Sequence, residues 1–502
     1  MSIREAAVRA FGGHARMQAM PQAHASAAML GRQFLRTAVF ADRRIADIKA
    51  GLLLLAIVAA AGLFKFWLTP AADLGPYGLV QTPSVTEAIA RLLATDPLKL
   101  LLPYEYEAPG RWLWAPAMLM PVHGLYQVAS PLAVYTMLSS LLVVTSFLTS
   151  WLVFRSLVFS GTLAFALGFG THLSYGLAMG FVFGLYLFLS YLCVNLMFVA
   201  RLLTAESMRP GVIAAFALSL GLLALSIEWW LNYAAVLLVG SGFLWLWARQ
   251  HGLRQNIATA RLIFLVTSGV LLLYLSVRLP LAREYVSPGG EEELIITYTH
   301  WIIAFEDLIA NFFTLIYIAL SNYLPVFGSI SQTYLSDATL LAEQHGYHKA
   351  MSHLVVTNHV FLWRFYAGAV VTFFVVFGVG RIRRALRNPN IADAVLAMLF
   401  LAVLVGCGTH LFIKYRPYMS VPALTYKPTV SIFFVTVLVA YVAVLARSWF
   451  DRIAAYRSAV CALWLVILIG AFMRPAALNQ MLQHVGVAGY GDPLRQLLQL
   501  TW

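Results

Sequence analysis

About eleven apolar runs, most of them near the length of a bilayer-crossing helix, punctuate this 502-residue chain, and basic residues gather in every second connection between them. A helix of roughly 20 apolar residues matches the hydrocarbon thickness of a membrane. Inside lipid the backbone must satisfy its own hydrogen bonds, which helices do. The runs are too long and too uniform for the alternating strands of a barrel. With 61% hydrophobic and 11% charged residues, a soluble domain of this length could not hide the apolar surface. The expected fold class is therefore all-α, a polytopic transmembrane helical bundle.

The runs cover residues 48–68, 132–154, 161–175, 181–200, 211–227, 231–247, 262–279, 365–380, 391–412, 429–446 and 459–472. The first begins too far into the chain for a cleaved signal peptide and reads as a retained span. A twelfth run, 301–326, is long enough to cross, but it carries Glu306, Asp307 and Asn311, which suit an interfacial or re-entrant helix better than lipid. The charges decide its treatment. If 301–326 does not cross, 21 of the 34 basic and six of the 21 acidic residues fall on the side of the N-terminus, a net +15 against −2 on the other side. That is the positive-inside pattern, with a cytoplasmic N-terminus. Residues 1–47 then form a basic cytoplasmic tail with one surface helix, 48–473 the transmembrane domain, and 474–502 an extracytoplasmic tail. Two long outer loops result, 69–131 and 280–364.

The net charge of +13 does not point to nucleic acid, because the basic residues lie in short connections between apolar runs. Cys193, Cys407 and Cys461 fall inside apolar runs without metal-ligand spacing and are expected to pack as small hydrophobes. His345, His348, His353 and His359 concentrate in the second outer loop, but their spacing matches no strong metal template, and no metal site is assigned. No Walker motif, HExxH or GxSxG is present, and no cofactor is specified. Inside or at the ends of the runs, His172, Asn195 and Glu228 stand out as polar groups in an apolar setting. No chain of buried carboxylates of the kind a proton-coupled transporter uses is evident.

The outer connections hold the residue types that carry chemistry. Asp73 follows the first run closely, where a carboxylate can act as general base toward an incoming hydroxyl or simply cap a helix. Tyr104, Glu105, Glu107, Arg111, Trp112 and Trp114 lie within eleven residues. Aromatic faces with acidic partners suit a sugar ring and an arginine suits a phosphate, although an interfacial aromatic belt has the same composition. Lys414, Arg416 and Lys427 stand with Tyr415, Tyr418 and Tyr426 in the connection before the tenth run. Cations on the outer side run against the positive-inside tendency. Anchoring a lipid phosphate accounts for them, as does snorkelling to headgroups.

This layout is similar to that of the GT-C superfamily of polytopic membrane glycosyltransferases. The shared features are one span, a long outer loop with an early acid, many short-looped spans, a second outer segment, and a basic-aromatic-proline stretch before a late span. Asp73 matches the position of the family's early loop carboxylate, although Leu74 and Gly75 follow it where the family often has an acidic pair. Lys414-Tyr415-Arg416-Pro417 resembles the basic stretch near the donor phosphate. The resemblance implies a transferase moving a sugar from a polyprenyl-phosphate carrier to an envelope glycan, lipid or protein on the outer face of a bacterial inner (plasma) membrane. Asp73 would be the base, with Glu105 or Glu107 in reserve. Arg111, Lys414, Arg416 and Lys427 would hold the phosphate, and Tyr104, Trp112 and Trp114 would shape the cleft. The alternatives are a transporter or flippase of a lipid-linked saccharide, which needs no base, and a structural subunit of a membrane complex.

Overall fold

The computed structural model describes residues 43–68, 94, 125, 131–170, 182–204, 209–226, 229–285, 312, 315, 316, 319, 320, 361–414 and 429–484. The elements among the described residues are all helical. They are α1 (Arg43–Leu68), α2 (Pro131–Phe154), α3 (Leu157–Phe169), α4 (Val182–Thr204), α5 (Pro210–Ser226), α6 (Trp230–Gln250), α7 (Arg254–Tyr285), α8 (Phe361–Arg387), α9 (Ile391–Lys414), α10 (Thr429–Leu445) and α11 (Ile453–His484), with a 3-10 turn at Ala446–Trp449. Eight are long and apolar enough to cross a membrane, and α3 and α5 are shorter apolar helices. The protein is thus a helical bundle with the character of a multi-pass membrane protein.

Each of the eleven spans expected from sequence overlaps one of these helices, but the ends differ where local chemistry outweighs hydropathy. The third helix starts four residues before its run because Ser156 caps it, its hydroxyl accepting from the Phe159 N–H at 3.2 Å. It then ends at Phe169, where Gly170 turns extended, short of the expected residue 175. Charged flanks extend α7, α8 and α11 beyond their apolar stretches. Cys193 and Cys407 are buried as expected, whereas Cys461 is exposed on α11 and does not pack as a core residue.

The helices close into a ring of neighbours. α2 packs on α3 and α4, α3 on α10, α10 on α9, and α9 on α6. The circuit returns to α4 through α5 and α7. Small residues let α3 serve as a hub touching α1, α2, α10 and α11. A side chain at Gly168 would press on Ala61 of α1 and Val143 of α2, and one at Gly161 on Leu53 and Trp464. Trp464 of α11 stacks on Phe165 at 4.6 Å and donates to Thr162 Oγ1 at 3.0 Å. The core is aromatic: Tyr233 of α6 stacks on Phe434 of α10, and Trp230 meets Tyr274 of α7 edge-on at 4.9 Å. Outward faces keep large apolar side chains exposed, among them Leu52 and Leu55 on α1 and Leu265 and Leu272 on α7, as lipid contact requires.

Side-chain contacts align the helix ends. The start of α1 meets the end of α2 through Asp47 and Arg155. The starts of α3 and α11 join them around Leu157 and Trp464. The ends of α4, α6 and α8 and the starts of α7 and α9 share one cluster containing Trp247, Ala260, Ala385 and Ala394, with Leu203 against it. Tyr441 near the end of α10 donates to the Ala392 carbonyl, and Tyr456 near the start of α11 to that of Ala443. One end of the bundle therefore collects all the basic residues whose side chains are described, from Lys49 to Arg457. Consequently the end of α7 and the start of α8 leave the opposite end together, toward which Lys65, Arg278, Arg283, Arg364, Lys414 and Arg474 also lie along their helices.

Between those two helices, Phe312, Leu315, Ile316, Ala319 and Leu320 are helical and spaced to share one face. Leu315, Ile316 and Ala319 are fully buried in the main core, and Phe312 lies beside Gly408 of α9. The face formed by these five residues is thus packed into the bundle.

Candidate functional site

The end of the bundle opposite Asp47 and Arg155 holds the helix ends that flank the segments singled out from sequence. Lys414 is the last residue of α9. Arg416 lies two residues beyond it, Lys427 two residues before α10, and Asp73 five residues beyond the end of α1. Arg416, Lys427 and Asp73 themselves lie outside the described residues, as do Tyr104, Glu105, Glu107, Arg111, Trp112 and Trp114, the histidines at 345, 348, 353 and 359, and His172 and Glu228. What is described is the frame that holds them. The segment 69–130 leaves from α1 and returns at α2, and 415–428 leaves from α9 and returns at α10. α3 packs against α1 and α2 on one side and α10 on the other, so a single helix separates the anchors of the two segments.

Close packing fixes these anchors. Gly62 of α1 faces Thr136 of α2, and Phe64 meets the Phe169 ring at 5.3 Å. Gly406 of α9 lies so close to α10 that a Cβ there would fall on Ser431 Oγ. Ser431 in turn donates to the Val403 carbonyl at 3.3 Å. The start of α6 reaches the same end with Trp229 and Trp230, directly after Glu228. Trp230 Nε1 and Asn232 Oδ1 are buried there without a hydrogen-bond partner among the described residues. No group of three or more metal-ligating side chains forms among the described residues.

Asn195, the intramembrane polar residue that is described, belongs to a closed network. Its amide donates to Ser219 Oγ at 2.7 Å and to the Phe216 carbonyl at 3.3 Å. Its carbonyl accepts from the Tyr233 hydroxyl at 2.6 Å. Ser219 donates onward to Phe216 O at 3.0 Å. α4, α5 and α6 are tied together with their polar atoms paired, which is structural work rather than a reactive site. Sequence reading found Asn195 but not its partners, since a tyrosine and a serine in apolar helices give no signal of pairing.

At the basic end, Asp47 Oδ1 accepts from Arg155 Nη1 at 2.6 Å and Trp151 Nε1 at 3.0 Å. Asp393 Oδ2 accepts from Arg384 Nε at 3.2 Å, with Arg381 3.9 Å from its other oxygen. Asp393 sits in the first turn of α9 and Asp47 just beyond the first turn of α1, each facing cations from a neighbouring helix end. They lock helix ends. Compared with known proteins, the chain matches no family model, no curated protein and no solved structure.

Proposed function

We propose that the protein is a membrane glycosyltransferase that moves a sugar from a polyprenyl-phosphate carrier to an acceptor of the cell envelope. In this reading all eleven helices cross the membrane, the end with Asp47 and Arg155 is cytoplasmic, and the opposite end faces outward. One observation carries it: the helix ends that flank the first segment, 69–130, and the 415–428 segment gather at the same end, one helix apart. A base and a phosphate-binding set must meet at one membrane face, and this topology brings their carriers to one face. The orphaned Trp230 Nε1 adds a buried donor at that end.

The chemistry follows from the residue types. The Asp73 carboxylate takes the proton of an acceptor hydroxyl. That oxygen attacks the anomeric carbon, the bond from that carbon to the phosphate oxygen breaks, and the configuration inverts. The lipid phosphate leaves with an added negative charge, which Arg111, Lys414, Arg416 and Lys427 screen. A screened phosphate leaves without a strong acid, so cations suffice.

The test is a transfer assay on Asp73→Asn beside Glu105→Gln and Glu107→Gln, with expression and donor binding measured in parallel. Asp73→Asn should lower turnover by about 100- to 10,000-fold while donor binding is kept, because the amide is nearly isosteric but accepts no proton. Lys414→Ala with Arg416→Ala should weaken donor use instead, since charge-assisted contacts are worth about 1.5–3 kcal/mol each. A dead glutamate variant beside an active Asp73→Asn moves the base to that glutamate. Full activity in all three acid variants removes them as the base, and a wild-type protein without transfer activity replaces the transferase with a transporter or a structural subunit.

A further inference from the structure

Charge at the basic end is compensated unevenly. Arg155 faces Asp47, and Arg381 and Arg384 face Asp393. Arg447 donates to the Phe450 carbonyl at 2.6 Å and lies over the Tyr456 ring, and Arg249 lies over Trp245. Arg383, Arg387, Arg452 and Arg457 are also exposed and in none of the ion pairs among the described residues, but they are divided between the end of α8 and the start of α11, whereas the corner where α4 ends and α5 and α7 begin joins four such arginines. Arg201, Arg209, Arg254 and Arg261 are all exposed there, and the ion pairs among the described residues include none of them. α4, α5 and α7 pack against one another, so the four guanidinium groups belong to a single corner. Glu206, in the connection between α4 and α5, lies outside the described residues; even counted against the four arginines it leaves the corner at +3.

The surface directly below these charges is apolar. On α7, Arg254, Ala258 and Arg261 continue into Leu265 and Leu272 on one exposed face. On α5, which packs against α7, Leu218 and Leu222 are exposed. Arg261 sits two turns from Arg254, about 10 Å further along the helix, so the cations occupy two depths. We infer that this corner binds anionic phospholipid, its phosphate among the four arginines and its acyl chains along the leucines of α5 and α7. A nucleic acid or an acidic peptide would leave the leucines unmatched. A zwitterionic lipid would bring its ammonium group against uncompensated cations. The surface lies at the end opposite Lys414, the last residue of α9, so it stands or falls separately from the transferase reading.

The experiment compares purified full-length protein in detergent with two variants of equal charge loss. One carries Arg201, Arg209, Arg254 and Arg261→Gln; the other carries Arg383, Arg387, Arg452 and Arg457→Gln, which are exposed elsewhere on the same end. Binding of phosphatidylglycerol and phosphatidylcholine is read by native mass spectrometry. Wild type should retain phosphatidylglycerol in preference to phosphatidylcholine. Each arginine near an anionic headgroup contributes roughly fivefold, so the first variant should lose at least tenfold and the second should stay within about twofold. Equal loss in both, or no loss in the first, overturns the assignment. If the quadruple variant does not fold, Arg209→Gln and Arg261→Gln are measured singly. Several-fold loss in each supports the corner, and unchanged binding in both overturns it.

Discussion

Asn195 shows how one residue can fix a membrane core. Three helices meet at its side chain, and the alternative to each of its hydrogen bonds is an unpaired group in an apolar interior. Asn195→Leu fills the volume but strips the Tyr233 hydroxyl of its acceptor. The expected cost is about 1–3 kcal/mol, read as a lower midpoint of unfolding in denaturing detergent. Tyr233→Phe in the same background should recover part of that loss, because the stranded hydroxyl is gone. An Asn195→Leu protein as stable as wild type would mean that the network contributes nothing net.

At the level of elements, small residues decide which helices touch. The α9–α10 pair is closest at Gly406, and a methyl group there meets Ser431 Oγ, whose own position is held by the Val403 carbonyl. Gly406→Ala should cost about 1–3 kcal/mol through overpacking, and Ser431→Ala should relieve it when combined. Because this pair anchors the 415–428 segment, donor use should fall with stability in the single variant and return in the double. A thermal unfolding series with a parallel transfer assay separates these outcomes.

For the whole molecule, the telling feature is the pairing of helix ends. α7 and α8 run in opposite directions, with the start of α7 and the end of α8 in one cluster, so the chain between them starts and finishes at the opposite end. Cysteines placed at Ser287 and Ser352 should therefore be labelled by an impermeant reagent from the same side, the side opposite a cysteine at Ser448. Labelling of Ser287 and Ser352 from opposite sides would require 301–326 to cross and would break the charge segregation.

The sequence by itself determined the helical membrane class and the number of helices around which the described chain is built, because hydrophobic length and the positive-inside bias are properties of composition along the chain. It also placed the candidate carboxylates and cations in particular connections, since Asp73 and Lys414 are located by their distance from apolar runs. Which connections become neighbours was left to the tertiary structure. Nothing in the runs says that α3 separates α1 and α2 from α10, because that depends on the fit of Gly161 and Gly168 against Leu53, Val143 and Trp464. Nor does hydropathy distinguish a residue facing lipid from one facing another helix, since both are apolar. Only packing revealed that Cys461 is exposed, that Leu315 is buried, and that Asn195 has partners on two other helices. Hydropathy measures transfer out of water, which is common to all these helices. Their arrangement rests on steric fit and a few hydrogen bonds, which form only once the helices meet.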